Sequence, residues 1–132
     1  MTKTEHASYW QQQALGDWET VDVLCEGKKY LQSLFWLHLT IEKLCEAVWI
    51  MSNEDDILHR THNLNRLLSE ASLSLPDEYA ILLTELNQFQ LEGRYPNYLY
   101  NLYKIITGEL TADYIQRVKP LRLWLLSQLP SD

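Results

Sequence analysis

Residues 29–51, KYLQSLFWLHLTIEKLCEAVWIM, decide the fold. Leu31, Leu34, Phe35, His38, Ile41, Glu42, Cys45, Val48 and Trp49 recur at steps of three and four, which places them on one stripe of a helix. Trp36, Leu37 and Leu44 flank that stripe. A helix apolar over more than half its circumference must be covered on two sides. It is therefore the central helix of a bundle, or it also serves as a dimer face, and Trp36 and Leu37 are the residues expected on such a face.

Upstream, a helix is expected from His6 to Gly27, with Trp10, Ala14, Trp18, Val21 and Cys25 on one face and Asp17 and Asp22 outside the series. Gly16 weakens its middle by ~1 kcal/mol relative to alanine. Gly27 is the expected C-cap, since glycine accepts the left-handed conformation without a Cβ clash. Downstream, Asn53–Asp56 reads as an acidic break. Thr61 is the expected N-cap of a short helix, Asn63–Glu70. Ser74 and Asp77 bracket Pro76, which opens a helix to Leu91 that Gly93 ends. Pro96 begins another, to Thr107, with Gly108 as its stop. A final helix is expected over Thr111–Leu129, kinked or broken near Lys119 because Pro120 removes a backbone donor. The 132 residues thus read as one all-α domain over 1–132, an antiparallel up-and-down bundle of five or six helices. Four glycines and four prolines are too few for the turns of an all-β chain.

The formal charge is −7, which disfavours nucleic-acid binding by the chain alone. Its bases are concentrated late: Arg94, Lys104, Arg117, Lys119 and Arg122 lie within the last third. Cys25 and Cys45 read as reduced core residues. With no apolar run of membrane-spanning length and no secretory signal, the expected compartment is the cytoplasm.

Three constellations carry chemistry. His38 and Glu42 share a helical face and interrupt the apolar stripe, so each needs a partner if buried. With His62 they could ligate a metal or act as an acid–base pair. The favoured reading is a hydrogen-bonded network of His38, Glu42 and Thr61 that pins the Thr61–Leu64 loop to the second helix, with no metal. Arg94-Tyr95-Pro96 joins two helices: Arg94 could meet phosphate or carboxylate with Tyr95 stacking on a base, or Arg94 could bond exposed helix-end carbonyls. Tyr95, Tyr98, Tyr100, Tyr103 and Tyr114 read as an interface or half-buried face rather than a base-stacking platform. Gly-rich phosphate loops, CxxC pairs, HExxH helices and Gly-flanked nucleophilic serines are absent from the sequence.

In order and spacing, these landmarks resemble the HEPN family (higher eukaryotes and prokaryotes nucleotide-binding domain). Trp10, Ala14 and Asp17 come first, then His38 with Glu42-Lys43. Thr61-His62-Asn63-Leu64 with Leu67-Leu68 follows, and Arg94-Tyr95-Pro96 closes the series; the resemblance spans about Trp10 to Leu126. It implies a helical bundle, often homodimeric, with two functional branches. In one, the domain binds a nucleotide or works with a small nucleotidyltransferase, as in toxin–antitoxin pairs. In the other, it is a metal-independent ribonuclease with an Arg followed four to six residues later by a His. Here Arg60, Arg66, Arg94, Arg117 and Arg122 are followed by no histidine at that spacing, and His62 is the last histidine. The expected function is therefore a non-catalytic homodimeric module that requires no cofactor. Arg94, Tyr95, His62 and Arg60 would meet a nucleotide or partner; the alternative is an enzyme acting through His38, Glu42 and His62.

Overall fold

The computed structural model describes residues 1–53, 61–71 and 73–130. Among these residues there are six α-helices and no strand: α1 Lys3–Glu26, α2 Tyr30–Ser52, α3 Leu64–Ser69, α4 Asp77–Leu86, α5 Pro96–Ile105 and α6 Gly108–Ser127. A 3₁₀ turn, Asn87–Phe89, extends α4. The architecture is an antiparallel up-and-down helical bundle. The expected acidic break at Glu54–Asp56, and Arg60, lie outside the described residues.

The central role expected of α2 holds. Fourteen of its 23 residues are buried, and it packs along α1 while also meeting α6, α3 and the 3₁₀ turn. Leu34, Leu37, Ile41, Cys45 and Ile50 are completely enclosed; burying a leucine or isoleucine contributes ~1.5–3 kcal/mol. This corrects the expectation for Leu37. Its side chain is sealed inside the single chain, because α1 and α6 together cover more of α2 than one stripe would require. Trp36 is only half-buried.

Polar residues inside α2 are tied locally. The Ser33 hydroxyl donates to the Val21 carbonyl of α1 at 2.9 Å, and Thr40 donates to Trp36 O one turn back. Asp17, outside the apolar stripe of α1, is nevertheless buried, and Lys43 Nζ approaches its carboxylate to 2.5 Å. This ion pair fixes the register of the α1–α2 hairpin at mid-length.

Several helix ends differ from the sequence reading. α1 starts at Lys3 because the Thr2 hydroxyl accepts from Glu5 N. At its other end Gly27 has φ −78°, and Lys28, with φ 61°, takes the left-handed position instead. α3 is capped by Asn63, whose side chain accepts from Asn65 N and Arg66 N, while Thr61 only accepts from Asn63 N. α4 opens at Pro76 without a side-chain cap from Ser74 and yields to the 3₁₀ turn before Leu91. Gly93, at φ 74°, is not the stop expected of it: the helical backbone has already ended at Phe89, and the glycine turns the chain in the loop before α5.

α6 begins at Gly108 rather than Thr111, because Thr107 Oγ1 caps Leu110 N. A Cβ on Gly108 would stand 2.8 Å from the Tyr30 ring, so glycine admits that ring against the start of α6. Nor is α6 broken at Pro120, through which it runs continuously. Pro120 and Gln116 are both exposed, so water can serve the carbonyl that proline leaves without a donor.

Candidate functional site

One turn apart on α2, His38, Glu42 and Glu46 face the loop that enters α3. His62 on that loop brings Nδ1 within 2.6 Å of Glu42 Oε1. Its backbone carbonyl accepts from His38 Nε2 at 3.2 Å. A carbonyl can only accept, so His38 carries its proton on Nε2 and its Nδ1, buried, has no partner. Burial, the largest effect, lowers the His38 pKa to about 4, and the imidazole is neutral at physiological pH. Burial likewise raises the Glu42 carboxyl, against which the His62 hydrogen bond acts. Glu46 is pushed up to about 7 by burial and by the neighbouring Glu42 charge. The His62 side chain itself is 54% exposed.

The other wall is built by the 3₁₀ turn. Asn87 Oδ1 accepts from Leu64 N at 3.0 Å, and its amide donates to Asn65 Oδ1, joining that turn to the start of α3. Arg94 folds back onto the same turn. Its Nε donates to Gln90 O at 2.9 Å and an Nη donates to Asn87 O at 3.3 Å, with the guanidinium 4.5 Å above the Tyr98 ring. Tyr98 donates its hydroxyl to Gln88 O at 2.6 Å. Two side chains thus serve carbonyls at this helix end, those of Gln88 and Gln90 and, beside the Gln90 N–H it already accepts, that of Asn87. His62, Asn63, Asn87, Gln90 and Arg94 line a small open groove of about 170 Å³.

Of the residues singled out from sequence, His38, Glu42, His62 and Arg94 therefore converge. Tyr95, 84% exposed at the N-cap of α5, does not line the groove. Thr61 is not part of the His38–Glu42 network, since its hydroxyl turns to Asn63 N; the His62 ring and carbonyl make those bonds. Arg60 lies outside the described residues. Glu46 was missed, although the i, i+4 step from His38 to Glu42 continues to it. Asn87 and Gln90 carried no sequence signal, because only the 3₁₀ turn brings them to the groove. Among the described residues, no three His, Cys, Asp or Glu side chains are grouped as metal ligands.

A family model for the HEPN domain matches residues 7–128. The chain belongs to the HEPN family. The crystal structure of an archaeal HEPN homologue superposes with a TM-score of 0.76 at 21% identity, covering 95% of this chain and 98% of that one. No curated protein matches the chain. As a HEPN fold, the bundle places α2 at its centre and the His62–Arg94 groove where α3 meets the 3₁₀ turn. No described helix of this HEPN chain is long and apolar enough to cross a membrane.

Proposed function

We propose that this HEPN chain is a non-catalytic binding module. It works in the cytoplasm as a homodimer beside a small nucleotidyltransferase, in a toxin–antitoxin-like pair, and meets the partner or a nucleotide through His62, Arg94 and the exposed Tyr95. One observation carries the reading: the groups that would do ribonuclease chemistry are engaged in holding the fold. Arg94 serves two helix-end carbonyls, and His62 is anchored to Glu42 through its side chain and to His38 through its backbone. The sequence also holds no histidine beyond His62 to complete an Arg–His pair. Apolar side chains that one chain leaves exposed, Leu15 and Leu123 among them, and the half-buried Trp36 are the surface available to a second copy.

The test combines two measurements on the purified chain. Incubation with RNA should give no cleavage. Mixing with a small nucleotidyltransferase of the same cell should give co-elution at fixed stoichiometry. RNA cleavage that disappears in His62→Ala would reject the reading.

A second reading is favoured by one feature of the same groove. An exposed imidazole backed at 2.6 Å by a buried carboxylate, with an arginine on the other wall of the groove, is an arrangement suited to general acid–base catalysis on a phosphodiester. In that reading His62 moves the proton, Glu42 orients it, and His38 holds the loop.

A further inference from the structure

Between α1 and α6 runs a groove of about 190 Å³, lined in part by Gln11, Ala14, Leu15, Leu44, Arg122 and Leu126. Ala14 and Leu44 are buried, whereas Leu15 on one rim is 48% exposed and Leu123, next to Arg122 on α6, is 62% exposed. Arg122 holds its guanidinium 4.9 Å from the Trp18 ring and is ion-paired with none of the described carboxylates. Burial lowers its pKa, so the groove disfavours a charge that arginine nevertheless keeps. A carboxylate brought in from outside the chain would offset that cost.

The same face holds acids that are not used. Leu15, Glu19, Asp22 and Glu26 follow one another at steps of four, three and four, so they form one row along α1, and all of them are exposed. None of the three acids is ion-paired with a described base. On α6, the exposed Lys119 lies one turn before Arg122 and Leu123. The face therefore presents an acidic row on α1 and bases on α6, with leucines on both helices. A surface that carries both signs is complementary to itself, which a two-fold contact requires because the patch must meet its own copy. The other gathering of exposed apolar side chains, Tyr95, Tyr100, Tyr103 and Ile105, lacks that property. Residues 93–108 hold Arg94 and Lys104 and no acid, so two copies would oppose like charges there.

We propose that two copies of this chain pair through the α1–α6 face, the exposed α1 row of each lying along the groove of the other so that Glu19 and Asp22 meet its Arg122. Leu15 and Leu123 are covered in the same contact. This pairing rests on the homodimeric reading above and gives that dimer its face and its charge pairs.

Sedimentation equilibrium of the full chain and its variants tests this. The parent should be a dimer at micromolar concentration. A two-fold contact uses each residue twice, so Arg122→Glu should weaken dimerisation about a hundredfold, roughly tenfold for each copy of the charge-assisted contact. Glu19→Lys combined with Asp22→Lys in one chain should do the same, and Leu123→Asp should also give monomers. Mixing the Arg122→Glu chain with the Glu19→Lys, Asp22→Lys chain should restore a dimer containing one copy of each, because every altered residue then faces the opposite charge. That restoration separates loss of the contact from loss of fold. A monomeric parent rejects the homodimeric reading and this face with it. A parent dimer that Arg122→Glu and Leu123→Asp leave intact overturns the face alone, and the homodimeric reading stands. Charge variants that are monomeric and stay so when mixed likewise overturn the face.

Discussion

Replacing Glu46 with glutamine should stabilise the protein, and only at neutral to alkaline pH. Glu46 Oε2 is buried without a hydrogen-bond partner, one turn from the Glu42 carboxyl. Burial and that neighbour raise its pKa from 4.5 to about 7. The folded protein then binds more protons at this site than the unfolded chain between those two values, so the Glu46 contribution to stability falls as pH rises through the interval. Above both values the full penalty is about 3 kcal/mol. Glutamine keeps the shape and cannot ionise. Glu46→Gln should therefore exceed the parent by about 3 kcal/mol at pH 8 and by under ~1 kcal/mol at pH 5. Urea unfolding followed by tryptophan fluorescence at both pH values measures the difference. His38 acts in the opposite sense, its lowered pKa making stability fall as pH drops from 6.5 towards 4, but it is present in both proteins and cancels. Equal stability differences at pH 5 and pH 8, or a less stable variant at pH 8, would refute the argument.

Three further outcomes follow from the same contacts. The His38 ring should titrate near 4 and carry its proton on Nε2, read from nitrogen chemical shifts by NMR; a midpoint near 6.5 would contradict its burial. Arg94→Ala should cost ~1–2 kcal/mol, because two carbonyls lose donors, and should speed amide exchange in α5; an unchanged denaturation midpoint would show that those bonds carry no net stability. Leu37→Ala should cost ~2–5 kcal/mol as a core cavity, with the mass in sedimentation unaltered. A mild effect accompanied by a change in mass would return Leu37 to an interface.

The acid–base trio shows how far sequence reading reached into the site. His38 and Glu42 were legible because helical periodicity alone places residues four apart on one face, and a polar pair inside an apolar stripe demands partners. His62 as a member of the group was legible too, but its mode of attachment was not: backbone and side chain each make one bond, and Thr61 makes neither. Arg94 was legible as two alternatives. Choosing between them required the carbonyls of Asn87 and Gln90, which are exposed for capping only because α4 tightens into a 3₁₀ turn. Lys28 escaped because the sequence assigns the left-handed position to Gly27, the residue that fits it at lowest cost.

By itself the sequence determined an antiparallel bundle of five or six helices, the central place of α2 and the membership that its ordered landmarks signalled. Those features follow from short-range periodicity and from backbone preferences of glycine, proline and capping residues, which act within a few positions. Tertiary structure alone decided that Leu37 is core, that Asp17 meets Lys43 inside the α1–α2 hairpin, that Glu46 is left without a partner, and that Arg122 lies over Trp18 in a groove between α1 and α6. Each depends on which surfaces two distant segments bury against one another, and burial is a property of the packed assembly of helices rather than of any one of them.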